Sequence, residues 1–179
     1  MRQSDGWDNK GKDVPILREG ELDIISYNAE QTARLGYRLG TLLQAGDVIC
    51  LSGDMGAGKT VFSSGLGKGW GALDPVTSPT FGLVHEHRRE QDKTILYHLD
   101  CYRLRGMEDI ESIGFDDMIE TKGVVVVEWA ERIMDALPTS YLWIHLRVME
   151  NNRRNFILEA VGTRYQNLIQ EFRTLTFGV

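Results

Sequence analysis

A lysine and a threonine at the end of a glycine-rich run are the residues that point most directly to chemistry. Gly53, Asp54, Met55, Gly56, Ala57, Gly58, Lys59 and Thr60 match the pattern G-x-x-x-x-G-K-[ST]. In that pattern successive backbone N–H groups turn inward as a nest for phosphate oxygens, a conformation that glycine tolerates because it has no Cβ. A helix starting at the lysine adds the positive end of its dipole. Lys59 then supplies charge to the β- and γ-phosphates, the Thr60 hydroxyl suits a magnesium ion, and the Val61 N–H serves the α-phosphate. The motif carries this meaning only with a strand before it and a helix after it. Val48 to Leu51 is a continuous apolar run bounded by glycines, as expected of a buried strand, and a helix is expected from Lys59 to about Lys68.

Phosphoryl chemistry also needs a carboxylate on the magnesium side and a group that places the attacking water. Asp100 ends the strand-like stretch Thr94 to Leu99, and Glu128 ends Val124 to Val127. Both fall at carboxyl ends of expected strands, the edge where α/β sheets bind ligands. Either could be the magnesium-side carboxylate. Thr77-Ser-Pro-Thr-Phe81 lies after the expected helix, where the Thr80 hydroxyl could reach a terminal phosphate or its water. Trp129 follows Glu128 and reads equally well as sheet packing. His98 alternates with Asp100 and reads as structural. His85, His87 and His145 show no zinc-ligand spacing. No Asp-x-x-Gly and no Asn-Lys-x-Asp follow the loop, which removes support for a GTPase, and there is no arginine-rich lid segment of a nucleotide kinase.

The elements that must hold these residues alternate along the chain. A strand is expected over Leu22 to Ser26. A helix capped by Asn28 with Gln31 in support follows, with Leu35, Leu39, Leu42 and Leu43 on one face and Gly46-Asp47 at its end. Gly82 to His87 and Thr94 to Asp100 read as a hairpin around a polar turn, and residues 107 to 119 as a helix with Met107, Ile110, Ile113 and Met118 inward. Val124 to Val127 is the strongest strand. Ala130 to Ala136 reads as a short helix, Leu142 to Val148 and Phe156 to Val161 as strands about a turn ending at Arg154, and Arg164 to Leu175 as a closing helix. This order predicts a three-layer α/β fold of the P-loop NTPase kind, with a mixed parallel and antiparallel sheet and helices on its faces. Residues 1–20 read as a flexible tail, 21–162 as the ATPase domain and 163–179 as a carboxyl-terminal extension.

Length and composition agree with one soluble domain. The chain has 179 residues, 42% hydrophobic and 26% charged, with a net charge of −6. That acidity argues against autonomous nucleic-acid binding, which rests on phosphate contacts from a basic surface. Two distant cysteines, no membrane-length apolar run and no signal-like start lead to the expectation of a cytoplasmic location with no membrane contact.

Taken together the motifs resemble the TsaE (YjeE) family of bacterial P-loop ATPases. The resemblance runs from about Leu22 to Val161. It rests on Gly53 to Thr60, Thr77 to Phe81, His98-Leu-Asp-Cys-Tyr-Arg-Leu104 and Val127-Glu-Trp-Ala-Glu131, with Thr32-x-x-Leu35-Gly36 in the first helix. It implies an ATPase that uses ATP and Mg2+, binds the TsaD and TsaB subunits and supports threonylcarbamoyladenosine modification of tRNA, touching tRNA only through that complex. It implies that Lys59 and the loop amides hold phosphates, that Thr60 and Glu128 form the magnesium side with Asp100 near it, and that Asp100 and Thr80 serve hydrolysis. Trp129 and Glu131 would flank the nucleotide, Asn28 to Thr32 would lie near the adenine, and Arg154 would approach it. Val61 and Cys101 depart from the usual pattern. A small-molecule kinase and a nucleotide-loaded interaction module that need not turn over are the alternative readings.

Overall fold

The computed structural model describes residues 20–79 and 82–178. Seven strands form one sheet: β1 (Glu21–Ser26), β2 (Val48–Ser52), β3 (Val84–His87), β4 (Leu96–Asp100), β5 (Val124–Glu128), β6 (Tyr141–Val148) and β7 (Arg154–Val161). Their order is β1-β7-β6-β2-β5-β4-β3. The four central strands, β6, β2, β5 and β4, are mutually parallel. β1, β7 and β3 are antiparallel additions at the two sides. β2 and β5 are buried along their whole length, which is why their sequences are apolar without alternation.

Helices α1 (Ala29–Gly40), α2 (Lys59–Trp70) and α5 (Thr163–Phe177) cover one face; α3 (Met107–Ser112), α4 (Phe115–Glu120) and two short 3₁₀ turns cover the other. On the first side Leu35, Leu39, Phe62, Leu66 and Phe172 pack on Ile49, Leu51 and Val126. On the second, Ile110, Phe115, Met118 and Ile133 pack on Val48, Cys50, Val125 and Val127. The alternation of the buried strands thus feeds two cores. Tyr165, Leu168, Ile169 and Phe172 of α5 are part of the first. Arg164 at its start grips Asp47 with both carboxylate oxygens, at 2.9 and 2.6 Å.

α1 and α2 cross at unusually close range. A Cβ on Gly36 or Gly40 would sit 2.2 Å from the Phe62 carbonyl oxygen or 2.1 Å from that of Leu66. The same is true in reverse for Gly65 and Gly69, against Ala33 and Tyr37 at 2.0 and 1.9 Å. Four glycines at i, i+4 spacing on the facing stripes let the two backbones touch.

Several expectations shift. Helix α1 starts as expected: the Asn28 side chain accepts from the Gln31 N–H, and the Gln31 side chain accepts from that of Tyr27, both at 2.9 Å. It ends at Gly40, so Leu42 and Leu43 continue the apolar pattern from a following turn rather than from the helix. The expected helix over 107–119 is two helices, broken where Gly114 adopts φ +73°. Met107 is exposed, and Phe115 fills the inward position instead. Ala130 to Ala136 forms two 3₁₀ turns rather than a short helix. Arg154 is the first residue of β7, not part of the turn.

Candidate functional site

The carboxyl ends of β2, β5 and β4 lie side by side, and the register places Leu51 opposite Glu128 and Glu128 opposite Asp100. From β2 the chain enters the glycine loop and then α2. Gly53 has φ +136°, and a Cβ there would stand 2.1 Å from the Leu146 carbonyl oxygen, so only glycine fits under β6. Gly56 and Gly58 also have positive φ, at +78° and +104°. Ala57 is fully buried, and Met55 is exposed at the rim beside Asp54.

Lys59 donates from Nζ to the carbonyl oxygens of Gly53 and Asp54, at 2.5 and 2.9 Å. Its ammonium also lies 3.9 Å from the centre of the Trp129 ring. Burial lowers its pKa from the ordinary lysine value, and the carboxylates of Glu128, Glu131, Asp100 and Asp54 oppose that effect. Thr60, next on α2, donates from Oγ1 to Glu128 Oε2 at 3.1 Å.

Glu128 is only 2% exposed, and its other oxygen, Oε1, accepts from His98 Nε2 at 2.8 Å. Asp100 is half-buried beside it. Its Oδ2 accepts from the Ser78 hydroxyl at 3.4 Å, and its Oδ1 accepts from the Tyr102 N–H at 3.0 Å. Between the two carboxylates left open by the sequence, Glu128 is therefore the one joined to Thr60, and Asp100 is the one joined to the 71–79 loop. Trp129 turns out of β5 with φ +59°, a backbone region costly for a non-glycine residue, and its ring stacks on Tyr102 at 4.8 Å between centroids.

Two cavities flank the loop. One, of about 370 Å³, is bounded by Lys59, Thr60, Asp100, Tyr102, Glu128 and Trp129. The other, of about 300 Å³, is bounded by Asn28, Ala29, Thr32, Asn152 and Arg154. Both reach Gly56, Gly58 and Val61, so they form one groove across the loop. Thr32 hydrogen-bonds through its hydroxyl to that of Ser26 at 2.8 Å, and Arg154 donates to the Gly56 carbonyl at 3.3 Å. Glu131 lines neither cavity; it faces a separate one of about 470 Å³ with Ser52, Trp143 and His145, behind Gly53. Thr80 lies outside the described residues.

Two groups at the groove, Tyr102 and Asn152, and His98 bonded to Glu128 escaped the sequence reading as site residues. The signal for His98 is its parity with Asp100, which puts both on the face of β4 that meets Glu128 once β4 and β5 pair in parallel. Among the described residues no cluster of three or more His, Cys, Asp or Glu could enclose a metal ion. Among the same residues no helix is long and apolar enough to cross a membrane.

A strand, a glycine loop nested on a helix start, a lysine and hydroxyl at its mouth and a buried strand-end carboxylate define a P-loop NTPase-like α/β protein. The family model for "Threonylcarbamoyl adenosine biosynthesis protein TsaE" matches residues 26–156. The tRNA threonylcarbamoyladenosine biosynthesis protein TsaE of Treponema pallidum is 41% identical over 133 residues, which span 74% of this chain and 96% of that protein. The Bacillus subtilis protein of the same name is 37% identical, over 84% of this chain and 93% of its own. A crystal structure of Bacillus subtilis YdiB superposes with a TM-score of 0.70 at 32% identity, covering 85% of this chain and 93% of that one. The chain belongs to the TsaE family.

Proposed function

We infer that this chain is a magnesium-dependent ATPase whose turnover, stimulated by TsaD and TsaB, sustains threonylcarbamoyladenosine formation on tRNA. The observation that carries the reading is the bonded chain at the loop mouth, His98 to Glu128 to Thr60, at 2.8 and 3.1 Å. It presents one buried carboxylate oxygen and one hydroxyl oxygen side by side, a donor set suited to magnesium. Thr60 and Glu128 would hold the ion there, and it would supply positive charge to the departing phosphoryl group.

The remaining work falls to side chains. Loop amides from Gly53 to Val61 cradle the phosphates. Lys59 exchanges the carbonyls of Gly53 and Asp54 for the terminal phosphates, and the carboxylates of Glu128, Glu131, Asp100 and Asp54 oppose the effect of burial on its charge. Asp100, steadied by Tyr102 N–H and Ser78, orients the attacking water, with Thr80 as the second residue serving hydrolysis. Trp129 walls the phosphate side. Asn28, Thr32 and Arg154 line the side that takes the nucleoside. Glu131 acts at a distance, through its charge on Lys59. TsaD and TsaB meet the chain as protein partners, the location is cytoplasmic, and tRNA is reached only through them; this fits the net charge of −6.

The test is ATP hydrolysis by the purified chain, alone and with the TsaD–TsaB pair of the same organism. A low basal rate that rises sharply with the pair, and is abolished by Lys59→Ala, is the expected result. An unchanged rate with the pair, or full activity in Lys59→Ala, overturns the reading.

A further inference from the structure

β3 and β4 carry three histidines on one face. His85 pairs directly with His98 across the antiparallel ladder, and His87, opposite Leu96, is the diagonal neighbour of His98. His98 is fully buried and His87 is 2% exposed. Each imidazole has one anchored nitrogen. Glu128 takes the Nε2–H of His98 at 2.8 Å, and Asp74, on the loop after α2, takes the Nδ1–H of His87 at 2.9 Å. The opposite nitrogens are His98 Nδ1 and His87 Nε2. Both are buried and have no hydrogen-bond partner among the described residues.

We propose that His98 is a positioning residue: its Nε2–H holds the Glu128 carboxylate in the rotation that aims Oε2 at Thr60. The inference rests on the magnesium-nucleotide reading of the site. A carboxylate with its two oxygens committed to different partners cannot rotate to offer both oxygens to the ion. Such outer partners commonly set metal affinity as firmly as the ligands themselves.

The geometry separates two similar substitutions. In His98→Gln the amide nitrogen occupies the place of Nε2 and can still donate to Glu128. In His98→Asn the amide reaches only the place of Nδ1 and leaves Oε1 without a donor. The measurement is affinity for a fluorescent ADP analogue, with magnesium and with EDTA, together with melting temperature and the kcat and KM for ATP. Expected is a magnesium-dependent gain in affinity that His98→Gln keeps to within about threefold and His98→Asn loses by roughly 10–100-fold, the range for lost outer partners of a metal ligand. Affinity in EDTA should stay within about twofold of wild type in both. Equal magnesium dependence in the two variants, or an equal loss in EDTA, overturns the positioning role while leaving the nucleotide site standing. A wild-type chain whose nucleotide affinity ignores magnesium overturns both.

Discussion

Gly36→Ala sets two physical effects against each other. On helix propensity alone, alanine in place of a mid-helix glycine stabilises by about 1 kcal/mol. In this fold the new methyl would lie 2.2 Å from the Phe62 carbonyl oxygen and 3.0 Å from the Leu66 nitrogen. Both are backbone atoms, so no rotamer relieves the clash. An ordinary contact requires α1 and α2 to part locally by roughly 1 Å, which forfeits a quarter to a half of the dispersion at the neighbouring contacts. Overpacking of this kind costs about 3 kcal/mol or slightly more. Less the propensity gain, the expected net loss is about 2–3 kcal/mol, or roughly 4–12 °C in melting temperature for a domain of this size. The assay is urea and thermal unfolding beside Gly106→Ala as a control. Gly106 has extended backbone, φ 176°, and a Cβ there would meet nothing within 4 Å. Its variant should stay within about 0.5 kcal/mol of wild type. A Gly36→Ala chain as stable as wild type would refute the argument that this crossing is set by backbone contact.

Arg164→Ala should destabilise by about 2–3 kcal/mol, since among the described residues Arg164 is the one cation bonded to the buried Asp47 carboxylate, which would keep only the Gln44 N–H as donor; Arg164→Lys, lacking the fork, should recover less than half of that in urea titrations. Acidification should weaken the fold below about pH 6.5. His87 and His145 have pKa values lowered by burial, so the unfolded chain takes up protons there that the folded chain refuses, and stability falls as pH drops through that window. A urea midpoint that does not move between pH 7.5 and 5.5 contradicts this. Cys101, whose thiol burial pushes up to about 12, should resist alkylation in the folded chain at pH 8 and react only after unfolding.

The phosphate loop was legible because its chemistry is local: eight consecutive residues, a strand before and a helix after. The β3–β4 hairpin and β5 were legible for the same reason. The end of α1 was not, because Leu43 stays buried and Leu42 half-buried in a turn beyond Gly40, and both so prolong the helical pattern past the helix. Strand order was equally hidden, since β1 pairs with β7, from Glu21 against Glu159 to Ser26 against Arg154. The roles of Glu128 and Asp100 separate only when register is known. So does the partnership of His98, whose carboxylate lies thirty residues away on the adjacent strand.

The position of β4 in the sheet has a consequence for how the protein fails. Its outer neighbour, β3, is an edge strand of four residues, while β5 and β2 lie deep in the sheet. Edge hairpins open at lower free energy than central strands. Asp100, His98 and the contact to Ser78 ride on that hairpin, whereas Lys59, Thr60 and the loop amides ride on β2 and α2. On the proposed reading, mild denaturant or heat is expected to loosen Asp100 and His98 before Lys59, Thr60 and the loop amides, so that hydrolysis is lost before nucleotide binding.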